Sequence, residues 1–145
     1  MKKSTKSSTA SDVFVDTSGF YALLFPRDDM HVQGTTILDL ARQAGRRFVT
    51  SDYVLDETAT LLRARGHELL IAPFFDRALG SQALRIEWMD TERFELTRRF
   101  FLKHSDKAWS FTDCFSFCLM KALRIEDALT KDDHFRQAGF NPLLI

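Results

Sequence analysis

The chain has 145 residues, of which 45% are hydrophobic and 28% are charged, a composition typical of one globular domain. Its 20 basic and 20 acidic side chains give a formal net charge of zero, so charge alone does not predict tight, non-specific binding to nucleic acid. No run of about 18 apolar residues is present, which excludes a membrane-spanning helix, and we expect a cytoplasmic protein.

Residues 1–11 are rich in Ser, Thr and Lys and predict a disordered tail, which precedes one domain over residues 12–145. The run DVFVD at residues 12–16 is short, apolar and rich in β-branched side chains, as is typical of a buried strand. We expect a turn at residues 17–19 and a helix at residues 20–25.

Further along the chain, short apolar runs alternate with longer segments of helical periodicity. The short runs predict strands at residues 47–50, 83–86, 127–130 and 142–145. The longer segments predict helices at residues 30–44, 52–65, 67–79, 91–104, 110–123 and 132–138. Pro73 lies inside the third of these helices and is a candidate break. This alternation predicts an α/β domain with a mostly parallel sheet.

Asp16 directly follows the first predicted strand, where functional side chains of a parallel sheet usually lie. A carboxylate that ends a buried strand is destabilising unless it is hydrogen-bonded, paired or bound to a metal ion. The same residue also fits a purely structural role, because an Asp-Thr-Ser sequence can bond its own backbone in the turn that follows.

Glu57 lies at the edge of the apolar stripe of the helix predicted at residues 52–65. At about 100° per residue its side chain falls beside Val54 and Leu61, whereas Asp56 points towards solvent. Glu57 is therefore the acid of this helix that can reach an interior site. An ordinary glutamate at the boundary of the core is the alternative.

Two further acids stand at the start of predicted helices. Asp113 comes three residues after Ser110, the spacing of a capping box, and a helix N-terminus also favours negative charge. Asp132 follows a predicted strand, and its neighbour Asp133 has cap spacing from Thr130. We therefore interpret Asp132 as the acid that is free to act in a site, with a solvated first-turn carboxylate as the alternative.

Together these acids form a candidate cluster, made of Asp16, Glu57, Asp113 and Asp132. Converging carboxylates without cationic partners repel one another, and a hard divalent cation relieves that repulsion. A set of oxygen ligands favours Mg²⁺ or Mn²⁺ over zinc.

The sequence around these acids resembles a known family. The segments VFVDTSGFYALL, SDYVLDETATLLRARG, SFTDCFSFCLMKAL and ALTKDDHFRQAGF resemble the four acidic motifs of PIN-domain ribonucleases, in particular the VapC-type toxins of bacterial and archaeal toxin–antitoxin pairs. The resemblance runs in order from Val13 to Ile145. It implies a PIN-like α/β fold with a parallel sheet of about five strands and helices on both faces, and RNA cleavage that depends on Mg²⁺ or Mn²⁺.

The resemblance assigns the family's four catalytic acids to Asp16, Glu57, Asp113 and Asp132. On this hypothesis the three aspartates hold the metal ion, while the glutamate orients or deprotonates the attacking water. Three hydroxyl side chains are expected to support these acids by hydrogen bonds, namely Thr17, Ser110 and Thr130.

Asp133 departs from the family pattern, which often has Arg at this position. Its extra negative charge is expected either to weaken substrate binding or to shift the fourth motif by one residue. A catalytically weak PIN-like module that only binds RNA or a protein partner is therefore the alternative function. A phosphatase of the haloacid dehalogenase type is disfavoured, because it needs a second acid where this chain has Ser18.

The resemblance also implies an RNA substrate, a cognate antitoxin protein and a homodimer, and no membrane partner is expected. The 14 phenylalanines exceed what a small core needs, and adjacent pairs such as Phe74–Phe75 cannot both point inward on a one-sided helix. The surplus, with the neutral net charge, suits a dimer or a groove that binds an antitoxin helix.

Other polar residues have weaker signals. Phosphate contacts are candidates at Arg46, Arg47, Arg63, Arg65, Arg98, Arg99, Lys103 and Lys107, although solvated helix surfaces explain most such residues. His31 and His134 are interpreted as structural rather than as ligands or bases. Cys114 and Cys118 are expected to be buried, reduced and inert thiols.

Overall fold

The computed structural model describes residues 11–145. Within this range five strands form one sheet, comprising β1 Val13–Val15, β2 Phe48–Ser51, β3 Leu84–Glu87, β4 Asp127–Leu129 and β5 Asn141–Pro142. The helices are α1 Thr17–Leu24, α2 His31–Gln43, α3 Asp52–Ala64, α4 Glu68–Gly80, α5 Thr91–Lys103, α6 Phe111–Ala122 and α7 Asp133–Gln137. Each helix in the described range is too short or too polar to cross a membrane.

The sheet is parallel throughout, with the strand order β3-β2-β1-β4-β5. From β1 the chain moves outward to β2 and β3, then returns past β1 to β4 and β5. Because parallel crossovers are right-handed, α1–α4 cover one face of the sheet and α5–α7 cover the other. The contacts among helices agree with this division, since α1 packs on α2 and α3, while α6 packs on α5 and α7. The predicted α/β fold is confirmed.

The central strand β1 is buried on both faces, which explains why its sequence is continuously apolar rather than alternating. Val13, Phe14 and Val15 are at most 3% exposed. The ring of Phe14 lies 6.4 Å from that of Phe135 on the face covered by α5–α7. Asp16 therefore emerges from the most buried strand of the molecule.

Helix α1 begins earlier than predicted, and the expected turn at residues 17–19 is wrong. These residues form the first turn of α1, with Asp16 in extended conformation at the N-cap. A Cβ atom on Gly19 would lie 2.1 Å from the carbonyl oxygen of Leu129. The glycine therefore allows the start of α1 to pack against the end of β4, a close approach that a local turn pattern does not reveal.

Helix α4 and strand β5 also differ from the prediction. Pro73 lies inside α4 without dividing it, because a proline removes only one backbone donor and the surrounding contacts hold the helix. The strand predicted at residues 142–145 is limited to Asn141–Pro142 at the edge of the sheet, although the amide of Leu144 still donates a 3.1 Å hydrogen bond to the carbonyl of Thr130.

The disordered tail predicted at residues 1–11 lies outside the described residues, except for Ser11. Its carbonyl oxygen accepts a 2.8 Å hydrogen bond from Nε of Arg46.

Candidate active site

The four predicted acids line one cavity of about 580 Å³ at the carboxyl end of the sheet. Asp16 ends β1, Glu57 lies on α3, Asp113 lies in the first turn of α6, and Asp132 precedes α7. The cavity lies where the strand order reverses between β1 and β4, the usual position of a binding crevice in an open α/β sheet. The fold therefore brings together four carboxylates that are distant in sequence.

Asp16 is the most buried of these acids, at 6% exposure. Its Oδ2 accepts a 2.9 Å hydrogen bond from the hydroxyl of Thr130. Burial raises the pKa of Asp16 to about 7, and the negative charges of Asp113 and Asp132 add to the shift, while hydrogen bonds from Thr130 and the backbone of Thr17 oppose it. Asp16 is therefore partly protonated near neutral pH, and a nearby cation would favour its ionised form.

Glu57 is half-buried and is held by Thr17, whose hydroxyl donates a 3.0 Å hydrogen bond to Oε1. Burial raises the pKa of Glu57, with the hydroxyls of Thr17 and Thr112 acting in the opposite direction. The neighbouring Asp56 is exposed, in agreement with the helical phase. One oxygen of Glu57 thus has a fixed partner, and a carboxylate with a raised pKa accepts a proton more readily near neutral pH.

Asp113 forms a reciprocal capping box with Ser110. The hydroxyl of Ser110 accepts a 3.0 Å hydrogen bond from the amide of Asp113, and the amide of Ser110 donates a 3.1 Å bond to Oδ2 of Asp113. The hydroxyl of Ser110 thus caps the helix, and the hydrogen bond from Ser110 to the carboxylate of Asp113 comes from its backbone amide.

Asp132 is itself the N-cap of α7, since its Oδ1 accepts a 2.9 Å hydrogen bond from the amide of His134. The cap of Thr130 on Asp133 expected from spacing is wrong, because the hydroxyl of Thr130 accepts from the amide of Asp132 instead, at 3.0 Å. Asp133 is exposed and pairs with Arg136 at 3.3 Å.

His134 belongs to the site, which the interpretation as a structural residue missed. Its Nδ1 lies 3.1 Å from Oδ2 of Asp113 and 3.5 Å from Oδ1 of Asp132. The sequence indicated this role only through the position of His134, two residues after Asp132 at the start of a helix. The packing of α7 near α6 is what places it between two carboxylates. His31, in contrast, bonds the carbonyl of Ala22 at 2.7 Å, as a structural histidine would.

A divalent cation fits this arrangement. Ligand atoms of Asp113, Asp132 and His134 all lie within 4.8 Å of one another. Among the described residues, no Lys or Arg comes within 4.0 Å of the carboxylate oxygens of the four acids. Asp16 borders this triad rather than joining it, so the predicted set of three aspartates is only partly matched in geometry. Mostly oxygen donors with one imidazole suit a hard or borderline metal ion.

The two cysteines take no part in this cavity. Both are free, and Cys114 is 1% exposed. Burial raises the pKa of the Cys114 thiol to about 11, so it stays protonated and unreactive.

Comparison with known proteins identifies the family. The PIN domain model matches residues 13–141. The chain is 33% identical over 129 residues to the 23S rRNA-specific endonuclease VapC20 from two strains of Mycobacterium tuberculosis, a match that covers 88% of this chain and 95% of each relative. The crystal structure of Mycobacterium tuberculosis VapC20, described as a sarcin–ricin loop cleaving toxin, matches with a TM-score of 0.78 and 29% identity over 89% of this chain and 96% of that chain. This chain therefore belongs to the PIN-domain family, whose nucleases are metal-dependent hydrolases.

Proposed function

We propose that this chain is an Mg²⁺- or Mn²⁺-dependent endoribonuclease that hydrolyses a phosphodiester bond of 23S rRNA, and that it is the toxin of a toxin–antitoxin pair. The observation that carries this proposal is the cavity of four carboxylates, which have no Lys or Arg partner among residues 11–145 and lie where the strand order of the sheet reverses. The similarity to VapC20, named for its action on 23S rRNA, supports the substrate. A ribosomal substrate would place the chain in the cytoplasm.

The residues of the cavity suit distinct tasks. Asp113, Asp132 and His134 would hold the cation, with Asp16 beside them. When bound, such a cation lowers the pKa of water and stabilises negative charge on the phosphodiester. Glu57 accepts the proton of the attacking water as the new P–O bond forms and the bond to the leaving ribose oxygen breaks. The bond from Thr17 keeps the Glu57 carboxylate oriented.

A binding module without catalysis is the alternative, and Asp133 is the residue that favours it. Asp133 lines the cavity and adds negative charge where RNA would approach. Its ion pair with Arg136 offsets part of that charge. Retention of all four acids in one cavity supports the enzyme instead.

We also propose an antitoxin and a homodimer as protein partners. A second groove of about 720 Å³ lies on the α1–α4 face and is lined by apolar side chains that include Phe20, Leu38 and Phe74. Such a groove suits an amphipathic antitoxin helix. On the other face, Phe94 and Phe101 of α5 are exposed at 46% and 38%, which supports association of two copies.

The test is cleavage of 23S rRNA by the purified chain, with fragments mapped by primer extension. We expect cleavage in Mg²⁺ or Mn²⁺, none in excess EDTA, and a fall in kcat of about 10²–10⁴-fold for Glu57→Gln. Asp56→Asn is the matched control on the adjacent, exposed position and is expected to retain activity. Activity in EDTA, or equal activity of the two variants, would contradict the proposal.

A further inference from the structure

A cavity lined with carboxylates repels RNA, so its cationic lining residues decide how the substrate is held. Of the Lys and Arg residues in the part of the chain that the structure describes, two line the cavity, Arg65 directly after α3 and Lys131 directly before Asp132. Since the chain has no net charge, a broad basic field does not attract the phosphates. Local contacts from individual side chains must therefore position the strand.

Arg65 is held over an aromatic ring. Its guanidinium carbon lies 4.7 Å from the centroid of the Tyr21 ring, and Tyr21 is 7% exposed. The Tyr21 hydroxyl forms a 3.0 Å hydrogen bond with Nε2 of His67, whose ring lies 4.4 Å from that of Phe25. The ring beneath the guanidinium is thus held at its hydroxyl end, and stacking leaves the N–H donors at the edge of the guanidinium free to bind.

Arg65 also lacks a competing carboxylate. Within the described residues, no Asp or Glu oxygen comes within 4.0 Å of its guanidinium, and its side chain is exposed. Asp28 lines the same cavity, but its Oδ2 accepts a 3.0 Å hydrogen bond from the amide of Met30. The guanidinium is therefore available to an anion that enters the cavity.

The other basic candidates of the sequence differ from Arg65 in this respect. Most are already paired with carboxylates, namely Arg46, Arg47, Arg63, Arg98, Arg99 and Lys107. None of them, nor Lys103, lines the cavity. The nearest in sequence, Arg63, is engaged by Glu68 at 2.9 Å.

We propose that Arg65, stacked on Tyr21, binds a phosphate that flanks the scissile bond of the RNA substrate. This inference rests on the proposed function and deepens it. A guanidinium offers paired N–H donors that match two phosphate oxygens, which lysine does not. Because Arg65 binds a flanking phosphate rather than the reacting atoms, it contributes to RNA affinity and to KM, with little effect on kcat.

The experiment compares Arg65→Ala with Arg63→Ala, two exposed arginines at the same end of α3. The probe is a stem–loop RNA with the sarcin–ricin sequence of 23S rRNA, and Kd is measured in EDTA over a range of KCl concentrations. We expect Arg65→Ala to weaken binding by about tenfold and to lower the slope of log K against log[salt] by about 0.7–0.9. Arg63→Ala should match the wild type in both, and Arg65→Lys should keep the slope but lose part of the affinity.

Further measurements separate this inference from the proposed function. Mn²⁺ affinity should be unchanged in Arg65→Ala, because its guanidinium pairs with none of the four acids, and the midpoint of thermal unfolding should fall only slightly, through loss of the contact with Tyr21. If the wild type cleaves RNA but the two alanine variants have the same Kd and salt slope, Arg65 binds no phosphate. The inference then fails, while the proposed function stands. If Arg65→Ala loses affinity for a copurified antitoxin and not for RNA, it is a protein contact and the inference also fails. If the wild type neither binds nor cleaves RNA, the proposed function fails as well.

Discussion

The hydroxyl of Thr130 donates a 2.9 Å hydrogen bond to Oδ2 of Asp16, which lies 114 residues earlier in the chain. The same hydroxyl oxygen lies 3.0 Å from Oγ of Ser18, and because its proton is used on Asp16, Ser18 is the donor in that contact. Ser18 in turn accepts a 3.0 Å bond from the amide of Lys131. A directed chain of bonds therefore joins the end of β4 to the most buried acid.

Thr130→Val tests this connection, because valine keeps the shape of the side chain and removes its hydroxyl. We expect the free energy of unfolding to fall by about 1–3 kcal/mol, since Asp16 and the amide of Asp132 both lose a partner. We also expect Mn²⁺ affinity to fall by about 10–100-fold, as measured by calorimetry.

Thr97→Val is the control for this change. Thr97 is also fully buried, and its hydroxyl donates to the carbonyl of Arg93 at 2.7 Å, but it does not line the cavity. It should lose stability and keep its affinity for Mn²⁺. An equal loss of metal affinity in both variants would show that the bond to Asp16 has no special role.

The stability of the metal-free protein should depend on the ionisation of Asp16. Its pKa is about 7 in the folded chain against an ordinary value of 3.8, so the folded state binds this proton more tightly than the unfolded state does. Protonated Asp16 therefore makes its full contribution to stability below pH 3.8. This contribution is lost as the pH rises towards 7, and above pH 7 stability no longer changes through Asp16. The loss is about 4 kcal/mol at most, because one unit of pKa corresponds to about 1.4 kcal/mol.

Asp16→Asn removes this titration. In EDTA at pH 8 we expect a higher midpoint of thermal unfolding for Asp16→Asn than for the wild type, and a smaller difference as the pH falls towards 4. Mn²⁺ should raise the midpoint of the wild type at pH 8 by more than that of the variant, because the variant keeps Asp113, Asp132 and His134 but lacks the carboxylate beside them. A variant that is less stable than the wild type in EDTA at pH 8 would be evidence against a raised pKa.

His134 should contribute to metal binding through its position between Asp113 and Asp132. We expect His134→Ala to weaken Mn²⁺ binding by about 10–100-fold, because the imidazole is either a ligand or a support for two ligands. His31→Ala removes a hydrogen bond to a backbone carbonyl away from the acids and should lower stability only. Unchanged Mn²⁺ affinity in His134→Ala would place this histidine outside the site.

Gly19 should not tolerate a methyl group. In Gly19→Ala the new Cβ would lie 2.1 Å from the carbonyl oxygen of Leu129, so α1 must move away from β4. We expect the free energy of unfolding, measured by urea denaturation, to fall by about 1–3 kcal/mol. Gly34→Ala is the control within another helix, since its Cβ would lie 3.5 Å from Cβ of Ala22, an ordinary contact. In that variant the free energy of unfolding should be unchanged or rise by up to about 1 kcal/mol, because alanine has a higher helix propensity than glycine. Similar stability of the two variants would refute the close approach.

The alternation of strands and helices predicted the fold class because burial leaves a periodic mark on the sequence itself. The same reasoning placed Asp16 at a strand end and separated Glu57 from Asp56, since helical phase depends only on spacing along one helix. The helical conformation of residues 17–19 escaped prediction, because it depends on contact with a strand more than 100 residues away.

The site itself depends on relationships between elements. The sequence alone determined which acids stand at the ends of buried strands and on the inner side of a helix, because these are local properties. The tertiary structure decided that His134 lies between Asp113 and Asp132, and that Arg65 rather than Arg63 lines the cavity. Those contacts follow from the order of the strands and the packing of helices on the sheet. Both bring together residues that are far apart in the sequence, and sequence separation does not reveal distance in space.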